Sequence, residues 1–502
     1  MQLFRKKFLP TSTAGRFFFC FLLGAIGGSA MGPLYLWYNL VIALSLLWVI
    51  FTSFSQEARW KSFVCGWLFG FGYFLDSLYW IGNALLVEGN PYQWVYPLAI
   101  CGLPAGLAVF HGLATYFTRW ITPGRRFYDY DTFLVSFMAV EYLRSFIFTG
   151  FPWNLFGMAW TGHLEMLQIL SIGGIQLLTF LSVFMMSAPG FAFAGTSKKA
   201  VRYGVLIAAF SVGIGLYAYG DMRLAKNQTE FRDDVLVQIV QPNIPQAEKW
   251  DPALTWDNYR DILNIFKYDM NLTMGSEDMT RVLVLPETAL NYHHLSEDSA
   301  LEALRGSLYH FKENTFLLTG ALLRGKDGYH NSLIALNKSA EQIYQFDKFH
   351  LVPFGEYVPF QSYIPIQSVT SFTGFVEGHG PETAKVGSIP PFSPLVCYEV
   401  IFSGEVTIDN PQRPEWIVNV TNDAWYGISP GPFQHMAHAV YRAIEEGLPV
   451  VRSANTGFST VVDPYGRVLL GIPLNSRYTE DIFLPKPAAE RPLYSQYRNY
   501  RN

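Results

Sequence analysis

Long apolar runs broken only by short polar loops fill the chain from Phe17 to about Tyr219, whereas from Arg223 onward hydrophobic residues come in short blocks between polar ones. A helix needs about 20 apolar residues to cross the hydrocarbon of a bilayer. The first stretch holds seven candidate runs, centred near Ile26, Leu44, Phe71, Leu107, Met138, Phe180 and Ile207. Their loops alternate in charge. Arg5, Lys6, Lys7 and Arg16 precede the first run; Arg59 with Lys61, then Arg119, Arg125 and Arg126, then Lys198, Lys199 and Arg202 follow every second one, and the loops between lack Lys and Arg. Basic loops stay on the cytoplasmic side. An odd number of spans then delivers the polar half of the chain to the outside. Gly28-Ser29-Ala30 after the first run has the small residues of a signal-peptide cleavage site, but another apolar run follows at once, so the pattern predicts a retained first span.

The second half reads as α/β. Strand-like blocks cover Val235–Val240, Val282–Leu285, Thr315–Thr319, Ser332–Leu336, Leu395–Cys397, Trp416–Val420, Val450–Ser453 and Ser459–Val462, separated by amphipathic or mixed segments. The pattern divides the chain into a helical bundle over residues 1–222, a globular domain over 223–486 and a polar tail over 487–502.

Composition sharpens this picture. Half of the 502 residues are hydrophobic and only 15% are charged, well below the roughly 25% of soluble domains. The net charge is −4 and the globular half has no basic cluster, so nucleic acid is not an expected partner. Asp76, Glu141 and Arg144 fall within or near the apolar runs, where charges are costly. Glu141 and Arg144 are three apart and share a helix face, which predicts a structural pair; admission of a lipid head group is the alternative. Asp76 is placed near a helix end. His435 with His438, and His293 with His294, lack the further ligands of a zinc site, and no phosphate-cradling Gly-Lys-Ser or Gly-Lys-Thr loop occurs, so neither a metal nor another cofactor is expected.

Candidate chemistry gathers at the ends of predicted strands, where ligands of open α/β sheets bind. Glu287 follows Val-Leu-Val-Leu-Pro, Cys397 closes Pro-Leu-Val, Asn422 and Asp423 close Ile-Val-Asn-Val-Thr, and Asn455 follows Val-Val-Arg-Ser-Ala. Cys397 is the one cysteine outside an apolar run; Cys20, Cys65 and Cys101 lie in lipid-like stretches. A carboxylate (Glu287), an amine (Lys348) and a thiol (Cys397) are the parts that acyl transfer through a thioester requires. The base takes the thiol proton, the sulfur attacks, and the ammonium stabilises the oxyanion.

Leu-Pro-Glu287, Asp-Lys348 followed by Phe-His-Leu-Val-Pro-Phe-Gly-Glu356, and Cys397-Tyr398-Glu399 resemble the Glu-Lys-Cys triad of the nitrilase (carbon-nitrogen hydrolase) superfamily. With Glu-Tyr-Leu-Arg and Thr-Gly-Phe-Pro-Trp around Glu141 to Trp153, Gln-Pro-Asn-Ile-Pro-Gln with Lys-Trp250-Asp, and Thr-Asn-Asp-Ala-Trp-Tyr-Gly, the chain resembles the membrane-bound apolipoprotein N-acyltransferase family. The resemblance implies a transmembrane α-helical bundle fused to an αββα sandwich. It also implies a ping-pong transfer from a phospholipid, typically phosphatidylethanolamine, to the N-terminal diacylglyceryl-cysteine of apolipoproteins, the last step of bacterial lipoprotein maturation. Catalysis would take place at the periplasmic face of the inner membrane, by a monomer. Glu356 would orient Lys348, Tyr398 and Glu399 would shape the pocket behind the nucleophile, Trp250 would contact substrate, and Asn331 would orient the lysine or the loop near it. Members of the family carry an eighth span after the catalytic domain; here the last residues are too polar and short for one. The segment Phe360–Phe375, apolar with Ser, Thr and Gly, is expected to act as a lid. A membrane-anchored amidase with the same triad, and a transporter or scaffold whose outer domain only binds, are the rival classes.

Overall fold

The computed structural model describes residues 9–55, 58–88, 90–122, 129–194, 197–249, 251–266, 279–358 and 374–498. It divides into two compact units, one of residues 1–82, 94–226 and 429–434, the other of residues 83–93, 227–428 and 435–502.

The first unit is helical, with α1 (Thr13–Gly28), α2 (Trp37–Phe51), α3 (Arg59–Leu78), α4 (Tyr96–Ile121), α5 (Asp129–Arg144), α6 (Leu170–Ala194) and α7 (Lys199–Lys226). Each covers one of the predicted apolar centres. By length and composition, three stretches among the described residues can cross a membrane: Gln93–Ile121, Leu170–Ala194 and Lys199–Lys226; α1 and α2 are shorter apolar helices. Helices in an apolar medium gain no hydrophobic drive from one another and pack through small residues. The α1–α3 crossing illustrates this, since a Cβ on Gly24 would lie 1.9 Å from the Phe69 carbonyl oxygen and one on Gly72 would lie 2.1 Å from that of Phe21.

Several polar residues inside this unit are paired. The Arg144 guanidinium donates to Glu141 at 2.9 Å and to the carbonyls of Phe151 and Trp153 at 2.8 Å each, and His111 Nε2 lies 2.9 Å from the other Glu141 oxygen. The pair is therefore a structural clamp on the chain beyond α5. Asp76 is exposed, two residues before α3 ends. Arg119, assigned to a basic loop from the sequence, is buried in the last turn of α4 and donates to Asp129 at 3.0 Å. Gln434 accepts from the indoles of Trp80 (3.2 Å) and Trp153 (2.9 Å) and donates to the carbonyls of Gly32 and Ser77.

The second unit is built on two sheets. The first has β1 (Phe231–Gln241), β2 (Thr280–Val284), β3 (Leu290–Asn291), β4 (Thr315–Arg324), β5 (Tyr329–Asn337), β6 (Gln342–Asp347) and β12 (Tyr478–Pro485). The second has β7 (Phe392–Val396), β8 (Trp416–Thr421), β9 (Val450–Ala454), β10 (Ser459–Val462) and β11 (Val468–Ile472). Their strand orders are β12-β1-β2-β4-β5-β6, with β3 on β4, and β11-β10-β9-β8-β7. Parallel pairing joins β1, β2 and β4 in one sheet and β7, β8 and β9 in the other.

Apolar side chains decide the layering. Val235, Val237, Val282, Val284 and Leu318 of the first sheet form one buried cluster with Phe392, Val396, Trp416, Val418 and Val451 of the second. The alternate residues Leu283, Leu317 and Leu336 cluster instead with residues of α8 (Thr255–Leu263) and α9 (Asp298–Leu308). Helix α10 (Pro430–Glu446) contributes buried Ala439, Tyr441 and Ile444 to the second unit.

The predicted strands are all present, Ser459–Val462 with the expected ends and the others with shifted ones. Strands β3, β6, β11 and β12 are not among the predicted ones, although β11 reads Val-Leu-Leu-Gly-Ile. The alternation of β12 is masked by Glu480 and Asp481, whose polarity the fold uses: Asp481 accepts from Arg281 at 2.7 Å and from Gln238 at 3.0 Å. Cys397 was expected to close a strand, but β7 stops at Val396 and Cys397 opens a short 3₁₀ turn with φ of 53°.

Candidate active site

Three strand ends deliver a carboxylate, an amine and a thiol. Glu287 follows β2 through Leu285 and Pro286, Lys348 is the first residue after β6, and Cys397 is the first after β7. The Glu287 loop is fixed by main-chain bonds from Leu285 N to Leu318 O (2.9 Å) and from Gly320 N to Pro286 O (3.1 Å). It needs glycine opposite. A Cβ at Gly320 would sit 2.3 Å from Glu287 Cα and 2.6 Å from Thr288 N, both backbone atoms. Gly320→Ala is therefore expected to cost about 1–3 kcal/mol by overpacking and to displace the carboxylate, lowering both thermal midpoint and turnover rate. A variant with the wild-type rate would contradict this. Thr288 and Cys397 adopt φ of 47° and 53°, a region that side chains enter only under constraint and that clusters at functional sites.

The polar groups converge under burial. Lys348 Nζ donates to Glu356 Oε1 at 2.7 Å and lies 3.8 Å from Glu287 Oε1. Asn331, in β5, donates from Nδ2 to Glu287 Oε1 at 2.7 Å and to Glu356 Oε1 at 3.1 Å, while its main-chain carbonyl accepts from Lys348 N at 2.9 Å. Glu356 Oε2 accepts from Val352 N at 2.8 Å. Its carboxylate thus orients the lysine, and Asn331 ties the two carboxylates together.

Electrostatics set the resting charges. Burial pulls the Lys348 ammonium down, but Glu356, Glu287 and Cys397 outweigh it and hold the amine well above its usual range, so it stays charged. Burial, then the nearby Glu287 carboxylate, push the Cys397 thiol up, against the pull of Lys348; the resting sulfur carries its proton. Burial also lowers His350 to about 4, helped by Lys348, so that ring is neutral.

Glu399 lies on the turn that Cys397 opens. One of its oxygens accepts from Phe349 N (2.7 Å) and His350 N (3.2 Å), the other from Val396 N (2.6 Å). It therefore ties the segment after Lys348 to the strand before Cys397. Burial raises it from 4.5 to about 7, against the three amides and Lys348, which favour the anion. A carboxyl raised on folding contributes stability in full below its unfolded value, and that contribution is lost as pH rises through its folded one. Glu399→Gln, neutral at every pH, is expected to lower the thermal midpoint by loss of the Val396 bond but to flatten its fall between 4.5 and about 7. An unchanged slope in a pH series of melting curves would refute it.

Tyr398 is buried beside Phe402, with ring centroids 5.2 Å apart. Trp250 and all of the expected lid except Gly374 and Phe375 lie outside the described residues. Asn455 Nδ2 donates to Ile244 O at 2.8 Å and to Asn422 Oδ1 at 3.2 Å, so these strand-end amides brace the chain after β1. Among the described residues no group of His, Cys, Asp and Glu is placed to hold a metal ion. His294 accepts from Asn291 N through Nδ1 in a helix cap, and His435 pairs with Asp423 at 2.7 Å.

Lys249, absent from the residues predicted for the site, donates from Nζ to the Glu287 carbonyl at 2.9 Å. Burial lowers its amine to about 8, while Glu287 and Cys397 oppose that shift. Its signal in the sequence is only a lysine next to Trp250.

Two family models match successive parts of the chain. Residues 23–188 match the apolipoprotein N-acyltransferase N-terminal domain and residues 236–483 match the carbon-nitrogen hydrolase family. An apolipoprotein N-acyltransferase from Rhodopseudomonas palustris is 36% identical over 485 residues, covering 93% of this chain and 89% of that one. One from Brucella melitensis is 38% identical over 439 residues, covering 84% and 79%. Among solved structures, a CN-hydrolase superfamily protein from Xanthomonas campestris matches with a TM-score of 0.36 and 17% identity, over 51% of this chain and 91% of that one. The chain belongs to the apolipoprotein N-acyltransferase family, a helical membrane unit joined to a nitrilase-like α/β domain.

Proposed function

We propose that this enzyme N-acylates apolipoproteins in two half-reactions through a thioester on Cys397, with Glu287 as the base and Lys348 as the oxyanion partner. The observation that carries the reading is the convergence, at three strand ends, of a buried lysine, a carboxylate 3.8 Å from it and a buried thiol. In the first half-reaction Glu287 takes the thiol proton as the sulfur attacks the sn-1 ester carbonyl of a phospholipid. The S–C bond forms, and the tetrahedral oxyanion faces the Lys348 ammonium. The ester C–O bond then breaks, and the proton held by Glu287 passes to the departing lysophospholipid oxygen. In the second, the α-amino nitrogen of a diacylglyceryl-cysteine attacks the thioester. Glu287 accepts a proton from that nitrogen, the C–S bond breaks, and the proton returns to sulfur, leaving an amide and the free thiol.

A high resting thiol pKa suits this order. A free thiolate would react indiscriminately, whereas a thiol deprotonated only as it attacks needs a correctly placed ester. Phosphatidylethanolamine is proposed as the donor, Trp250 as a substrate contact and 360–375 as the lid. The seven-span count, the inner-membrane location, the periplasmic orientation of the catalytic domain and a monomeric state complete the reading. The alternating basic loops support the orientation. Anchoring the domain where both lipid substrates lie raises their effective concentration.

The test is an intact-mass spectrum of the purified protein after exposure to phosphatidylethanolamine. One fatty-acyl increment, labile to hydroxylamine and discharged by a diacylated lipopeptide, is the expected result. Ammonia release from small amides without an adduct would favour a membrane-anchored amidase instead.

A further inference from the structure

The triad leaves unexplained a buried ionic cluster next to the turn that Cys397 opens. Asp423, at the end of β8, faces Arg452 of β9 and His435 of α10, and each of the three is 1% exposed or less. Arg452 donates to the two Asp423 oxygens at 3.0 and 2.8 Å, and His435 Nδ1 lies 2.7 Å from Asp423 Oδ1 and 3.1 Å from the Arg452 guanidinium. The other ring nitrogen, Nε2, lies 3.3 Å from the main-chain carbonyl oxygen of Cys397. Carbonyl and carboxylate oxygens both only accept, so a neutral ring with one N–H donates either to Asp423 or to the Cys397 carbonyl; Arg452, a donor 3.1 Å from Nδ1, favours the tautomer with the hydrogen on Nε2. Asn419 completes the arrangement: Nδ2 approaches the same carbonyl at 3.4 Å, and Oδ1 accepts from Arg452 at 2.6 Å.

Burying this much charge is weak as a source of stability, because desolvation offsets most of the attraction between partners. The cluster's outward connections lead to the carbonyl of the nucleophile, whose backbone holds φ of 53°. A residue in that region needs outside constraint to stay there. Two side-chain donors on its carbonyl supply one. Asp423 also sits close enough to raise the thiol, and Arg452 and His435 offset its charge.

We propose that His435, held by Asp423 and Arg452, is a positioning residue that locks the Cys397 carbonyl and so keeps the nucleophile's turn in the conformation that aims its sulfur. The inference rests on Cys397 being the acylated residue. A misaimed nucleophile loses rate and not donor affinity, which separates positioning from loss of a binding contact.

The experiment compares the full-length wild type, His435→Phe and His435→Gln in detergent with phosphatidylethanolamine, timing the acyl increment on Cys397 by intact mass and recording thermal midpoints. His435→Phe keeps the ring and removes the donor, and is expected to slow acylation about 10- to 100-fold at saturating donor with KM within about twofold. His435→Gln, which retains an N–H donor, is expected to recover most of that rate. Acylation of His435→Phe at the wild-type rate, a loss residing in KM, or no recovery by glutamine in a folded variant would overturn the proposal. If His435→Phe does not fold, ¹⁵N spectra of imidazole-labelled wild type decide: a protonated Nε2 at His435 supports it and a bare Nε2 overturns it. Wild-type protein that forms no adduct on Cys397 would instead remove the catalytic reading beneath it.

Discussion

Cys397→Ala is expected to abolish acyl transfer, with a fall of at least about 10⁴-fold in turnover and no acyl increment in the mass spectrum. The sulfur is the only atom of the proposed triad that forms a covalent bond to the substrate, so neither Glu287 nor Lys348 can substitute for it. The fold should tolerate the change. Cys397 is 7% exposed and belongs to the cluster between the sheets, so removing one sulfur costs on the order of 1 kcal/mol. A variant with an unaltered melting curve and retained turnover would refute the thioester and favour direct transfer or a non-enzymatic role. Cys20 and Cys65 offer no rescue, since they lie in α1 and α3 with their sulfurs 3.1 Å from each other.

Lys348→Met should produce the second largest effect, and it should damage activity and stability together. The ammonium lies 2.7 Å from Glu356 and 3.8 Å from Glu287, and all three side chains are buried. Without it two carboxylates face each other across Asn331 with no cation of the triad between them. Removing one partner of a buried pair typically costs about 3–5 kcal/mol, because the remaining charge is stranded. Loss of the oxyanion partner removes a further factor of about 10²–10³ from the acylation rate. Both readouts, melting temperature in detergent and single-turnover acylation, should fall. Pairing the change with Glu356→Gln should recover part of the stability and none of the rate, since the double variant relieves the repulsion without restoring an ammonium. Recovery of both would mean that Lys348 acts only as a structural counter-charge.

Much of this site is legible in the sequence because its parts stand at the ends of short apolar blocks. Leu283, Leu285 and Val396 announce strands, and the polar residue that ends each block is where the chain leaves the sheet. Glu287 and Cys397 can thus be found one at a time, Lys348 stands out only by its residue type because β6 has no apolar block, and Glu356 and Glu399 follow from the resemblance. Residues that act through backbone groups could not be found this way. Lys249 acts on a carbonyl of Glu287 and His435 on a carbonyl of Cys397, and a carbonyl leaves no mark in the pattern of side chains. His435 read as half of a weak metal motif because His438 lies one turn away; which face of α10 meets β8 and β9 decided between these readings.

The sequence by itself determined the division into an apolar helical half and an α/β half, the positions of seven helices, the main strands and the chemical types available for catalysis, since hydrophobic periodicity and residue chemistry are local properties of the chain. Only the tertiary structure decided which strands are neighbours and that β6 and β12 form at all. It also decided that Asn331 bridges two carboxylates and that Cys397 lies past its strand in a left-handed turn. Those outcomes depend on packing between residues far apart in sequence, such as Glu399 holding Phe349, and on the need of each buried charge and amide to find a partner.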